Sequence, residues 1–148
     1  MIAFRPATRD DVAAVVALLA DDALGRGRER ADLSHYLAAF DAMGDDPMNR
    51  VIVGEAGDEI VACYQLTVIR GLSLSAATRA QLEGVRIAAH LRGQGQGAAL
   101  VADAEARARA AGAVLMQLTS NATRGDARRF YEAQGYEPSH VGFKKRLD

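Results

Sequence analysis

A glycine-rich loop constrains this chain more than any other part of its sequence. The loop spans residues 92–98, and it places glycine at three alternate positions, Gly93, Gly95 and Gly97. An extended-looking run precedes it, and an alanine-rich segment with helical spacing follows it. Glycine lets successive backbone N–H groups turn toward one anion, and the start of the following helix adds positive potential. The loop is therefore predicted to hold an anionic group such as a pyrophosphate, with Arg92 supplying a positive charge.

Two well-known phosphate-binding patterns fit this loop poorly. The P-loop requires a lysine directly after its last glycine, and no lysine follows a glycine here. The dinucleotide-binding fingerprint is matched by Gly93, Gly95 and Ala98, but it also requires an acidic residue at the end of the next strand. The next apolar run, 113–119, is followed by serine and asparagine instead of a carboxylate. A nicotinamide dinucleotide-binding protein therefore stays as the weaker alternative.

Hydrophobic periodicity predicts the element order β-α-α-β-β-β-α-β-α-β. Apolar residues recur at helical spacing behind Thr8 and again from about Asp32, and a charged, glycine-containing break at 21–30 separates the two helices. Runs of β-branched residues joined through Gly57 and Asp58 predict a hairpin. The predicted strands are 1–5, 51–53, 60–69, 80–88, 113–119 and 141–147, and the predicted helices begin near residues 8, 32, 95 and 126.

A third phosphate-binding pattern, Q/R-x-x-G-x-G/A, is matched by Arg92, Gly95 and Gly97. With this pattern the chain resembles the GCN5-related N-acetyltransferase (GNAT) superfamily. The preceding run 82–87, LEGVRI, is similar to the central strand of that family. Downstream, Asn121 and the segment 127–136, ARRFYEAQGY, are similar to the family's N…A…FYEKLGF segment. Two motifs at the expected separation are more specific than either motif alone.

The resemblance implies the fold class and the cofactor. The expected fold is α/β (α+β): one GNAT-like domain over residues 1–148, with a mixed, mostly antiparallel central sheet, helices on both faces, and a splay between the fourth and fifth strands. In such a splay, unpaired backbone groups can bind the pantetheine arm of acetyl-CoA like a strand. No metal is expected. The residues implied to bind acetyl-CoA are Val85, Arg86, Ile87, Arg92, Gly93, Gln94, Gly95, Gln96, Gly97, Ala98 and Asn121.

The same resemblance implies the catalytic residues. Tyr131 matches the family's tyrosine that faces the CoA sulfur and acts as general acid; its alternative role is packing on a helix face shared with Phe130. Glu83 is the candidate base, and it would share a face of the strand with Val85 and Ile87 until a bulge changes the order. A bulge at this point would also aim a backbone N–H at the oxyanion. Asn121 either caps the next helix or binds CoA.

Composition limits the partners of the chain. At 148 residues, with a formal charge of −1, it fits one globular domain without the basic footprint of a nucleic-acid-binding protein. Cys63 is the single cysteine and is expected to be a small buried hydrophobe, so neither a disulfide nor a covalent cysteine intermediate is expected. No signal peptide or membrane span is recognised, and a cytoplasmic location is the default.

The expected function is an acetyl-CoA-dependent N-acetyltransferase that acts by direct attack in a ternary complex. The acceptor is a small-molecule or protein amine, and three acids in the interhelical break, Asp21, Asp22 and Glu29, are a weak indication of a cationic acceptor. The family resemblance also allows for a homodimer. The alternative from a different class is a non-catalytic acyl-CoA-binding or sensing module that kept the pyrophosphate loop.

Overall fold

The computed structural model describes residues 1–21, 29 and 32–148. It divides into two compact units, an N-terminal unit, Met1–Gln117, and a C-terminal unit, Leu118–Asp148. Short 3₁₀ turns, Arg9–Asp11 and Ala89–Leu91, precede two of the helices. Apart from a four-residue helical turn, Ser73–Ala76, the strands and helices are β1 Ala3–Pro6, α1 Val12–Ala20, α2 Leu33–Met43, β2 Asn49–Ala56, β3 Glu59–Ile69, β4 Arg79–Ile87, α3 Gln96–Ala110, β5 Leu115–Leu118 and α4 Gly125–Ala133.

The five strands form one sheet in the order β1-β2-β3-β4-β5. The first four are antiparallel neighbours, and β5 runs parallel to β4. The predicted hairpin is confirmed, because β2 and β3 pair on either side of Gly57, whose φ of +62° suits a tight turn. This is the mixed, mostly antiparallel sheet that the family resemblance implied.

The first helix starts at a polar cluster that the sequence marked by Thr8. The Thr8 N–H donates to the Asp11 carboxylate at 2.7 Å, which is the reciprocal half of a capping box. Arg5 of β1 donates hydrogen bonds from two nitrogens to the same carboxylate, at 2.7 and 3.1 Å, and also donates to Glu55 of β2. The cap therefore ties the start of the first helical region to two strands.

Helices cover both faces of the sheet, as the alternation along β3 requires. Cys63, on one face, packs with Val53 and with Leu18 of α1 in a buried cluster. The next residue, Tyr64, points to the opposite face and donates its hydroxyl to Asp103 of α3 at 2.5 Å. Both Cys63 and Tyr64 are only 1% exposed. The core thus consists of two layers of side chains, one under α1 and one under α3.

The break predicted between the first two helices is only partly described. Asp21 is the C-cap of α1, and Glu29 accepts a hydrogen bond from the Tyr36 hydroxyl at 2.7 Å. Asp22 lies outside the described residues, as does most of the break. The second helix begins as predicted, since the Asp32 carboxylate accepts from the Ser34 N–H and caps α2.

The predicted strand over residues 141–147 is wrong. Residues 137–148 form neither helix nor strand, and Val141, Phe143 and Leu147 are 78, 93 and 95% exposed. Alternating apolar residues fit a half-buried strand only where a neighbour supplies hydrogen bonds and a surface to pack on. Residues 137–148 form no strand pairing, so their alternation does not produce a strand.

Candidate active site

The central strand β4 contains a bulge at Gly84–Val85, beside residues 85–87, where the family resemblance implied one. Cys63 of β3 is opposite Arg86, whereas Gln65 is opposite Glu83, so two residues of β4, Gly84 and Val85, face the single intervening residue of β3. Gly84 has a φ of +62°, the left-handed conformation typical of a glycine-containing bulge. Residues after the bulge therefore point to the face opposite to the one that uninterrupted alternation would give them. Glu83 therefore shares its face with Arg86, not with Val85 or Ile87.

Glu83 lies on a polar part of the sheet face. Its Oε2 accepts a hydrogen bond from Gln81 Nε2 at 3.2 Å. Gln81 in turn accepts from Gln117 of β5 at 3.0 Å, and Gln117 accepts from Arg79 at 3.0 Å. Arg79, Gln81 and Gln117 were not predicted as site residues from the sequence. The signal was present in β4, where Arg79, Gln81 and Glu83 alternate with the buried residues of the other face.

Cys63 packs beneath the bulge, with its Sγ 3.6 Å from the Gly84 carbonyl oxygen. Burial raises the pKa of this thiol to about 12, and the nearby Arg86 charge acts in the opposite direction with a smaller effect. A thiol that stays protonated is a poor nucleophile. Cys63 therefore serves as a core residue, as its sequence context predicted.

The glycine loop has the backbone conformation that an anion cradle needs. Gly93 and Gly95 adopt φ values of +75° and +80°, and a Cβ built on either would meet no atom within 4 Å. Gly95 is the N-cap of the 15-residue helix α3, whose first residues are Gln96, Gly97 and Ala98. The first N–H groups of a helix have no partner within the helix and attract anions. The residues present thus fit a bound pyrophosphate.

The side chains of Arg92 and Gln94 hold this loop in place. Arg92 donates from Nε to the Ile87 carbonyl at 3.0 Å and from Nη2 to the Asp21 carbonyl at 3.1 Å, with 48% of its side chain exposed. Gln94 donates to the His90 carbonyl at 2.9 Å. Arg92 thus joins the loop to the ends of β4 and α1, and its charge lies beside the glycines.

The second half of β4 extends beyond its parallel neighbour. Val114, just before β5, donates its N–H to the Thr78 carbonyl at 2.9 Å, and β5 then runs for only four residues. Parallel strands advance by the same rise per residue, so β5 accompanies about the first half of β4. Residues 83–87 lie past its end. Two carbonyls there accept from side chains, Val85 from Arg86 at 2.8 Å and Ile87 from Arg92.

The C-terminal unit carries the other predicted site residues. Tyr131 lies on α4, where its ring packs edge-on against Phe130 and Tyr136 at centroid distances of 5.0 and 5.9 Å. The Asn121 side chain accepts from the Thr123 N–H and hydroxyl at 3.0 and 2.6 Å. It closes a turn before the helix and is not its N-cap, which is Arg124. Of the two roles predicted for Asn121, helix capping is therefore wrong.

The described residues contain neither a cluster of metal-ligating side chains nor a membrane-spanning helix. Within residues 1–21, 29 and 32–148, no three His, Cys, Asp or Glu side chains lie together in a way that could hold a metal ion. Over the same residues, every helix is too short or too polar to cross a bilayer.

Comparison with known proteins identifies the family. The model of the acetyltransferase (GNAT) family matches residues 13–136. The aminoalkylphosphonate N-acetyltransferase of Salmonella typhimurium is 32% identical over 143 residues, which cover 97% of this chain and 90% of that protein. A transcriptional regulator from Bacillus halodurans is 41% identical with a TM-score of 0.94, covering 99% of this chain and 100% of the other. Glucosamine-6-phosphate N-acetyltransferase from Arabidopsis thaliana shares the fold, with a TM-score of 0.81, 16% identity, and 100 and 99% of the two chains covered. With a family model matched over most of its length and a relative of 32% identity, the chain is a member of the GNAT acetyltransferase family.

Proposed function

We propose that this protein transfers an acetyl group from acetyl-CoA to a primary amine by direct attack in a ternary complex. The observation that carries the proposal is the pair of left-handed glycines, Gly93 and Gly95, open on their Cβ sides at the start of α3. Family membership and the N-acetyltransferase of Salmonella typhimurium support it. The pyrophosphate of CoA would accept hydrogen bonds from the backbone N–H groups of residues 93–98, with Arg92 adding positive charge.

The reaction requires three proton-handling and charge-stabilising groups. The ammonium first loses a proton to a base, and the amine nitrogen then forms a bond to the acetyl carbonyl carbon. As the carbon–sulfur bond breaks, the nitrogen gives up a second proton and the departing thiolate takes one up, so that one proton is released overall. An alkylamine with a pKa of about 10.4 is mostly protonated at neutral pH, so a base is needed before attack. We assign this role to Glu83, and we assign protonation of the departing thiolate to Tyr131. A backbone N–H at the Gly84–Val85 bulge would stabilise the oxyanion.

Direct attack is favoured over a covalent enzyme intermediate. The cysteine that could carry an acetyl group, Cys63, is 1% exposed, and its thiol pKa is raised to about 12. A buried, protonated thiol neither reaches nor attacks a thioester. We therefore infer that the amine and acetyl-CoA are bound together before transfer.

The acceptor is proposed to be a small-molecule or protein amine. Because a 32% identical relative is an aminoalkylphosphonate N-acetyltransferase, aminoalkylphosphonates belong in the first test panel, beside amino acids, polyamines and a lysine-containing peptide. CoA release is measured for each amine with wild-type protein and with Tyr131→Phe. We expect at least one amine to give turnover, and the variant to lower kcat with little change in KM for acetyl-CoA.

A second candidate function is a sensing module that binds acyl-CoA without catalysis. The 41% identical transcriptional regulator favours it, since that protein covers the whole of this chain. The two functions differ in turnover. Tight CoA binding with no CoA release for any amine would favour the sensor.

The CoA site itself is tested by a charge placed in the cradle. Gly95→Glu inserts bulk and negative charge where the pyrophosphate should bind, and it should weaken CoA binding at least about a hundredfold, in line with the loss of several charge-assisted hydrogen bonds. Gly112→Glu is the matched control. Gly112 has a similar φ of +88° and an equally open Cβ side, but it follows the other end of α3.

Titration calorimetry with CoA compares the two variants, and circular dichroism checks that both fold. Equal CoA affinity in Gly95→Glu and Gly112→Glu would refute the role of the loop. Thermal shifts with CoA and with NAD test the remaining alternative. Protection by NAD alone would replace the acetyltransferase proposal with a nicotinamide dinucleotide-binding protein.

A further inference from the structure

A chain of three side-chain hydrogen bonds ends on the carboxylate of Glu83. Arg79 Nη1 donates to Gln117 Oε1 at 3.0 Å, Gln117 Nε2 donates to Gln81 Oε1 at 3.0 Å, and Gln81 Nε2 donates to Glu83 Oε2 at 3.2 Å. All four side chains belong to the N-terminal unit and lie on one face of β4 and β5. The predicted mechanism assigned none of the three donor residues.

The chemistry of the two end groups, Arg79 and Glu83, fixes the donor-to-acceptor direction of this series of hydrogen bonds. A guanidinium can only donate hydrogen bonds, and an ionised carboxylate can only accept them. With Arg79 at one end and Glu83 at the other, each intervening amide must turn its oxygen toward Arg79 and its nitrogen toward Glu83. Rotating either amide by 180° would oppose two donors at one contact and two acceptors at the next. The orientation of Gln81 is therefore determined from both sides.

The backbone of β4 keeps the hydrogen-bonded side chains in a row. Arg79, Gln81 and Glu83 are at alternate positions of β4, so they point to the same face. The residues between them, Ala80 and Leu82, are 0 and 1% exposed in the core on the other face. This burial anchors the strand beneath the hydrogen-bonded row.

The arrangement leaves one oxygen of Glu83 available. Among the residues that the structure describes, Oε2 accepts from Gln81 and no hydrogen bond to Oε1 is found. A base must present an oxygen within hydrogen-bond reach of the proton it removes. The hydrogen bond to Oε2 restricts rotation of this exposed carboxylate and leaves Oε1 open toward solvent.

We propose that Gln81 is a positioning residue for Glu83. It holds the carboxylate through Oε2 so that Oε1 meets the acceptor amine, and Gln117 and Arg79 hold Gln81 in the required orientation. This inference rests on the proposed role of Glu83 as the base. Gln81 itself touches neither the amine nor acetyl-CoA.

The test is a double-mutant cycle in kcat and KM with an amine that gives turnover. Gln81→Ala should lower kcat about tenfold, as loss of one hydrogen bond to a charged group does, and leave KM for acetyl-CoA unchanged. In the Glu83→Gln background the same substitution should add no further loss, because the carboxylate it acts through is gone. Thr67→Val is the matched control. Thr67 is the cross-strand neighbour of Gln81 on the same face, but its hydroxyl donates to Asn49 at 3.3 Å.

The outcomes separate this inference from the proposed function. If Glu83→Gln keeps full kcat, Glu83 is not the base, and both the assignment and the inference are overturned. If Glu83→Gln loses activity while Gln81→Ala keeps it, or if the loss from Gln81→Ala persists without Glu83, only the positioning role is overturned. Gln117→Leu, which releases Gln81 without altering β4, should lower kcat in the same direction and serves if Gln81→Ala fails to fold.

Discussion

The buried cysteine gives a quantitative test of direct acetyl transfer. Cys63 is 1% exposed, and burial raises the pKa of its thiol from 9.0 to about 12. Each pKa unit lowers the thiolate fraction at neutral pH about tenfold, so Cys63 should carry roughly a thousandfold less thiolate than an ordinary cysteine. Removing the thiol should therefore leave catalysis intact. We expect Cys63→Ala to keep kcat within about twofold and to lower the free energy of unfolding by about 1 kcal/mol through the small cavity it creates.

Two assays check this reasoning. Iodoacetamide should alkylate Cys63 in native protein at pH 8 at least about a thousand times more slowly than in protein unfolded by urea. Mass spectrometry of protein incubated with acetyl-CoA and no amine should find no acetylated Cys63. Native alkylation at the unfolded rate would refute the estimate of thiolate fraction. An acetyl-Cys63 adduct that a later addition of amine removes would refute direct transfer itself.

Two further predictions concern the framework of the N-terminal unit. Arg5 holds the pKa of Asp11 at about 2, so the stability this carboxylate contributes is fully present above about pH 4 and is lost as the pH falls through 2. Asp11→Asn should lower the free energy of unfolding by about 2 kcal/mol at pH 7 and by roughly half of that at pH 3. Urea denaturation at the two pH values measures this difference. A difference from wild type that does not change with pH would contradict the prediction. At Gly54, a Cβ would lie 2.6 Å from Ile2 and 2.9 Å from Phe4, so Gly54→Ala should cost about 1–3 kcal/mol by overpacking. A melting temperature equal to that of wild type would show that β1 moves away without cost.

Local sequence patterns predicted most of the elements because their causes are local. Thr8 and Asp11 mark the start of the first helical region through a hydrogen bond between residues only three positions apart. Asp32 caps the second helix through Ser34. β2 and β3 follow from β-branched residues and one glycine turn. Such signals depend on neighbours in the chain, so one sequence is enough to read them.

Features that depend on distant partners were harder to predict. The run 141–147 has the alternation of a strand, but its apolar side chains remain exposed. Alternation indicates a preference for strand conformation, and it does not show whether a neighbouring strand is present to pair with. The contact between Gln81 and Gln117 joins residues 36 positions apart, and nothing near either glutamine indicates the other. The bulge was expected only from family resemblance, and its effect on which residue shares a face with Glu83 required the register of β3 and β4.

The bulge makes the site sensitive to the length of β4 as well as to its composition. One extra residue at Gly84–Val85 sets the orientation of every side chain that follows it in the strand. Deleting Val85 would restore regular alternation and keep Arg86 on the face of Glu83 and Cys63, but it would remove the extra peptide unit whose N–H we propose to stabilise the oxyanion. Among homologues, a one-residue insertion or deletion here should therefore alter activity more than most substitutions in the same strand.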